Sequence, residues 1–163
     1  MVSDDRDLFK YRVSAVVLRG DELLIHRAEI DDFWALPGGH VEMMESSKKA
    51  LGREMKEELG VEVEVKRLVW IAENFFEYDG HEFHEVCLYY LVKIPEDSEI
   101  LKKDEVFYGE EDGYEYFGRK IELIFKWYPV DKLEDIKLYP NFLVEAIRDL
   151  PDNPEHVVND TRL

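Results

Sequence analysis

Apolar residues along the chain follow two alternating periods. Residues 13–18 form an apolar, β-branched run, followed by the turn pair Gly20-Asp21 and by Leu23-Leu24-Ile25, a pattern that predicts two strands joined as a hairpin. Residues 33–36 are a short apolar piece ended by Pro37-Gly38-Gly39, where proline stops an extended segment and the glycines permit an unusual loop. Ala50, Leu51, Met55 and Leu59 then recur near a 3.6-residue period. With Ser46 or Ser47 as cap and Gly60 as stop, they predict one helix over about Ser47–Leu59. Val61, Val63 and Val65 alternate with Glu62, Glu64 and Lys66, which predicts a half-buried strand continuing through residues 68–71.

Residues 83–94 are apolar on both parities in their second half, as a central strand covered on both faces requires, so helices are expected on each side of a sheet. Residues 121–130 supply another strand. Pro140 opens a second helix in which Leu143, Ala146, Ile147 and Leu150 follow i, i+3, i+4, i+7. Between residues 95 and 116 acids far outnumber Lys102 and Lys103, which predicts a solvated loop or an extra hairpin. Residues 151–163 carry no period and are expected to be an extended tail after a single domain of residues 1–150.

Composition narrows the functions. At 163 residues, 45% hydrophobic, the chain is expected to build one core and fold alone. Its 21 Lys and Arg against 38 Asp and Glu leave a formal charge of -17, which repels nucleic acid polymers and anionic membrane surfaces; a phosphate-bearing ligand must therefore come with, or find, a metal cation. The lone cysteine, Cys87, excludes an internal disulfide and a four-cysteine zinc site, and its apolar surroundings predict core packing. The polar, acidic N-terminal residues lack an export signal, and the longest apolar run is far below the roughly 18–20 residues that span a bilayer. A cytoplasmic protein is expected.

The chemistry is concentrated in the first helix. Glu54, Glu57 and Glu58 stand at i, i+3 and i+4, one helical face, where like charges cost an isolated helix roughly 0.2–0.5 kcal/mol per pair. Glu57 and Glu58 also lie in the last turn, where the helix dipole penalises anions by about 0.3–1 kcal/mol each. A bound divalent cation would turn this repulsion into attraction, and an all-oxygen donor set points to a hard ion, Mg2+ or Mn2+. A solvated acidic face is the alternative for this fragment taken alone.

The wider stretch Gly39-x5-Glu45-x7-Arg53-Glu54-Met55-x-Glu57-Glu58-x-Gly60-Val61 resembles, at every constrained position, the signature of the Nudix hydrolases. A chance match in this chain is on the order of one in a million. The flanking Trp34-Ala35-Leu36-Pro37-Gly38-Gly39, the strand after the box and the late helix extend the resemblance over most of the chain. It implies an α+β fold, an α/β/α sandwich around a mixed sheet, and Mg2+-dependent hydrolysis of the pyrophosphate linkage in a nucleoside diphosphate derivative. Glu54, Glu57 and Glu58 would bind metal together with a backbone carbonyl of Gly38 or Gly39. Arg53 would orient the carboxylates, Glu45 would steady loop and helix through Arg53, and Gly39 and Gly60 would serve as backbone positions. The proton acceptor is left open between Glu57, first choice within the box, and Glu105, Glu110, Glu111 or Glu115 downstream.

Phe75, Phe76 and Tyr78 follow the strand after the box and could stack a base, although Phe75 and Phe76 must point to opposite sides of an extended chain. Tyr78 is in the region where some dinucleoside polyphosphate hydrolases of the family carry a tyrosine, and the proline common in ADP-ribose hydrolases is not seen there. Arg27 resembles a basic position that often contacts substrate phosphate, against the alternative of a surface ion pair. His81 and His84 face opposite sides, which argues against zinc. Candidate substrates are a nucleoside triphosphate, a nucleotide sugar or a dinucleoside polyphosphate. The rival function is a catalytically silent, nucleotide-sensing domain. Homodimers are common in the family.

Overall fold

Strand β6 (His81–Lys93) lies between β1 (Asp7–Val16), to which it is parallel, and β5 (Glu64–Tyr78), to which it is antiparallel. Its second half is covered on both faces. Tyr90 and Val92 enter one core cluster while Cys87 and Tyr89 enter the other, which is why both parities are apolar there. Strands β4 (Gly38–His40) and β9 (Glu155–Asp160) complete a five-stranded mixed sheet in the order β4-β1-β6-β5-β9. The computed structural model describes residues 7–111 and 118–162. An antiparallel sheet of β2 (Leu18–Arg19), β3 (Glu22–Ala28), β8 (Ile121–Pro129) and β7 (Phe107–Glu111) stands beside the first.

Helix α1 (Ser47–Leu59) buries Ala50, Leu51 and Met55 against Val13, Ala15 and Tyr90 of the mixed sheet. On the opposite face Val16, Cys87 and Tyr89 meet Leu133 of a 3-10 turn (Val130–Asp135), together with Leu143 and Ile147 at the short helix α2 (Leu143–Ala146). The result is an α+β fold with helical segments on both faces of a mixed sheet.

Several elements differ from the sequence pattern. The Gly20-Asp21 turn joins β2 to β3, with Gly20 at φ 60°; β1 ends at Val16, and the chain passes there from one sheet to the other. Strand β5 starts at Glu64, later than the valine alternation suggests, and irregularities at Val65/Arg67 and Leu68/Trp70 shift which parity is buried. The second helix is a single turn; Leu143 and Ile147 are its fully buried anchors, with Phe142, Val144, Ala146 and Leu150 packed more loosely against the same core. Part of the acidic stretch, residues 107–111, pairs with β8 as the edge strand β7. Asp112 and Glu115 lie outside the described residues. Past Leu150 the chain runs on to β9, whose parallel pairing with β5 makes it part of the sheet.

Candidate active site

Arg53 is the hub of the α1 carboxylates. Its Nε and Nη2 donate to Glu45 Oε1 and Oε2 at 2.8 and 3.0 Å, a bidentate pair that ties the loop before the helix to its middle turn. Nη1 donates to Glu54 Oε1 at 3.0 Å and Glu57 Oε2 at 3.2 Å, and Nη2 to the His40 carbonyl at 3.1 Å. The bonds from Arg53 hold the Glu45 carboxyl below its usual range, and the same bonds raise the Arg53 guanidinium further. The helix itself begins at Ser46, whose hydroxyl accepts from the Lys49 amide, and stops at Gly60, which adopts φ 69° and donates its amide to the Lys56 carbonyl.

The three box glutamates are not equivalent. Glu58 turns inward with a side chain 2% exposed, Glu54 is 15% exposed, and Glu57 is 58% exposed at the outer edge. Glu54 lies against the loop backbone: a Cβ on Gly39 would come within 2.2 Å of its carboxyl carbon. Strand β7 pins the last helical turn, for a Cβ on Gly109 would sit 2.2 Å from the Glu58 carbonyl oxygen. Both carboxylate oxygens of Glu58 lack a hydrogen-bond partner among the described residues. Burial, then Glu54 and Glu111, push the Glu58 carboxyl well up, with Arg12 only partly opposing. Burial also raises Glu54, against the pull of Arg53.

Two cations that the sequence pattern did not single out lie near these acids on the other face of β1, and Arg12 acts electrostatically on both Glu54 and Glu58. Lys10 and Arg12 share a face of β1, and Arg12 is paired across strands with His40 and Cys87. Burial pulls the Arg12 guanidinium down, but the neighbouring carboxyls, Glu85 first, outweigh it and leave it raised. Lys10 lies 4.4 Å over the Phe83 ring and is lowered by burial and by Arg12. Partial desolvation, then Arg12 and Lys10, bring His40 at the exposed end of β4 down to about 4. Glu111, on β7, is raised by burial and by Asp31 against Arg12 and Lys10. The available signal was alternation: Lys10 and Arg12 alternate with Phe9 and Tyr11 at i, i+2.

The expected substrate residues divide. Phe76 stacks on Phe83 with centroids 5.0 Å apart, and Tyr78 lies 6.4 Å from the same ring while its hydroxyl donates to Asp31 Oδ1 at 3.1 Å. Both therefore share the face of Lys10. Phe75 is on the other face, stacked on His84 at 4.5 Å and covered by Arg162. Arg27 alternates with His26 on β3, so it points away from Glu58; it donates to the carbonyl of Asp31 at 2.8 Å and to that of Ala28 at 3.5 Å. Among the downstream acids, Glu110 pairs with Lys120 at 3.4 Å and Glu105 is exposed.

Among the described residues no three His, Cys, Asp or Glu side chains are gathered closely enough to hold a metal by themselves. The donor set nevertheless suits a hard cation: Glu58 offers two orphaned buried oxygens and Glu54 lies beside the Gly39 backbone. Hard cations such as Mg2+ complete their shell with water and substrate phosphate oxygens. Cys87 is buried, and burial pushes its thiol up to about 12, which leaves it inert.

The NUDIX domain family model matches residues 8–150. Diphosphoinositol polyphosphate phosphohydrolase 2 of Mus musculus is 30% identical over 159 residues, 91% of this chain and 84% of that protein. The match to the same-named protein of Rattus norvegicus, 38% identical over 74 residues and 43% of this chain, spans only 41% of that relative's length. RNA pyrophosphohydrolase of Nitratiruptor sp. is 27% identical over 113 residues, 59% of this chain and 70% of that protein. In fold, a MutT protein from Bacillus halodurans superposes with a TM-score of 0.56 at 17% identity, covering 90% of this chain and 89% of that one. A matching family model over most of the chain, and a box that keeps every constrained residue, place this chain in the NUDIX family of hydrolases.

Proposed function

We propose that this chain hydrolyses the pyrophosphate linkage of a nucleoside diphosphate derivative with a divalent cation, Mg2+ or in its place Mn2+. The observation that carries the reading is Glu58, a buried carboxylate whose two oxygens have no partner among the described residues, set beside Glu54. A lone buried carboxylate costs several kcal/mol unless something neutralises it. Glu54, Glu57, Glu58 and a carbonyl of Gly38 or Gly39 would hold the cation, which supplies charge neutralisation and an acidified water for in-line attack at phosphorus.

The remaining steps fall to this chain's own side chains. Arg53 fixes the Glu45 and Glu54 carboxylates through its hydrogen bonds. Arg12 and Lys10 take the phosphate oxygens that face away from the helix, a role we assign to them rather than to Arg27. Glu57 or Glu111 accepts the proton from the attacking water; Glu111 is the stronger candidate, since its carboxyl is raised whereas Glu57 is tied to Arg53. Phe76 and Tyr78 offer aromatic surface to the nucleoside, and no described helix is long and apolar enough to cross a membrane, in keeping with a cytoplasmic enzyme.

A screen of nucleoside triphosphates, nucleotide sugars and dinucleoside polyphosphates with Mg2+, detecting phosphate, pyrophosphate and monophosphate separately, tests the reading. Cleavage of none of them, together with no change in melting temperature on adding Mg2+ or Mn2+, would sink it.

A further inference from the structure

On the Lys10 face of the mixed sheet, a second polar group is buried that the reaction above does not use. Asn74 on β5 and Glu85 on β6 are cross-strand partners, 1% and 9% exposed, and Asn74 Nδ2 donates to Glu85 Oε1 at 2.9 Å. Asn74 Oδ1 has no partner among the described residues. A buried carboxylate and an orphaned acceptor are costly in a sheet that could have carried apolar residues there. Their neighbours on this face are the stacked rings of Phe76 and Phe83, with Lys10 over Phe83. Among the groups acting on Arg12, Glu85 is the strongest carboxylate. The floor is therefore rich in acceptors, the Glu85 carboxylate and Asn74 Oδ1, beside one aromatic stack and next to Lys10, the cross-strand partner of Glu85 on β1, and Arg12.

Resting on the proposed pyrophosphate hydrolysis, we propose that Glu85, held in place by Asn74, is the specificity-determining residue for the half of the substrate that is not phosphate. It accepts hydrogen bonds from the hydroxyl or amino donors of an uncharged sugar or base. A carboxylate has no proton to give a phosphate oxygen, so a ring bearing further phosphates meets repulsion from Glu85. Lys10 and Arg12 are then left to the pyrophosphate itself. If Glu85 served only to neutralise Arg12, its loss would affect every phosphate ligand alike.

The test compares the full chain with Glu85→Gln, which keeps an acceptor for Asn74 and nearly the same volume. Turnover is measured with Mg2+ on diadenosine tetraphosphate and on a diphosphoinositol pentakisphosphate, with kcat and KM separated. In parallel, adenosine monophosphate and inorganic phosphate are titrated by calorimetry. The wild type should favour the nucleoside substrate, and Glu85→Gln should raise its KM and weaken adenosine monophosphate binding by about tenfold, the loss expected for a charge-assisted hydrogen bond. Inorganic phosphate affinity and kcat/KM for the inositol compound should hold or improve. A parallel loss on all ligands, no loss on any, or a wild-type preference for the inositol compound overturns the assignment. The calorimetric arm needs no turnover: if neither substrate is cleaved, the hydrolase reading fails, while Glu85 is still judged by adenosine monophosphate binding.

Discussion

Nδ1 of His26 stands 3.8 Å from Oε2 of Glu58, and neither atom has a hydrogen-bond partner among the described residues. The imidazole gives no charge to offset the carboxylate, since burial, reinforced by Arg12, lowers it to about 3. Two buried polar groups thus face each other across a gap too long for a hydrogen bond. Such a conflict is what a site prepared for an absent positive charge should show, and it separates stability from activity.

Glu58→Gln should lose most turnover, on the order of a hundredfold or more if each charge-stabilising group is worth about 3 kcal/mol. The same change should raise the metal-free melting temperature, because removing an unpaired buried charge recovers about 1–3 kcal/mol, at roughly 2–4 °C per kcal/mol for a chain of this size. Rate and thermal midpoint measured together decide this. A variant that is both active and less stable contradicts it.

The pH dependence has a definite sign. Burial raises the Glu58 carboxyl well above its ordinary 4.5, so the folded protein binds that proton more tightly than the unfolded chain. Its contribution to stability is complete below 4.5 and is lost as pH rises through the raised value. The melting temperature of Glu58→Gln minus that of the wild type, both without metal, should therefore grow as pH rises from 4.5. A difference independent of pH would count against a raised carboxyl.

Metal should reverse that loss. Mg2+ or Mn2+ at about a hundred times its dissociation constant should add about 2.7 kcal/mol to wild-type stability, and a chelator should remove it. Glu58→Gln should respond much less. Calorimetric melting with and without chelator reads both.

Two glycines should fail differently. Gly39→Ala pushes its methyl against the movable end of Glu54, so the carboxylate is displaced and turnover should fall more than stability. Gly109→Ala meets the Glu58 backbone carbonyl, which cannot swing aside, and should cost about 1–3 kcal/mol of stability as overpacking does. Equal thermal losses in the two variants would refute the contrast.

Arg12→Gln should reduce kcat/KM by about ten- to a hundredfold, the worth of a hydrogen bond to a charged group. Arg27→Gln should change it little, since Arg27 is spent on the carbonyls of Ala28 and Asp31. The reverse ranking would return the phosphate contact to Arg27.

The box was legible because its chemistry is local. Glu54, Glu57 and Glu58 sit within two helical turns, and the cap at Ser46 and stop at Gly60 are read from neighbours in sequence. Arg53, their partner within the helix, was legible as well, but the surroundings that distant segments bring to them were not. Arg12 meets His40 and Cys87 only through strand pairing, and Glu111 reaches the site because β7 pairs with β8. Residues 140–150 show the opposite failure, a helical period realised as a single turn in which Leu143 and Ile147 alone are fully buried.

The order of apolar runs, the helix and its caps, and the family signature were written in the chain, since each depends on residues a few positions apart. Tertiary structure alone decided which glutamate is buried, which face of β5 meets the site, and that Arg12 on β1 comes within electrostatic reach of Glu54 and Glu58. Burial and electrostatic neighbourhood come from segments far apart in sequence, and no local pattern encodes them.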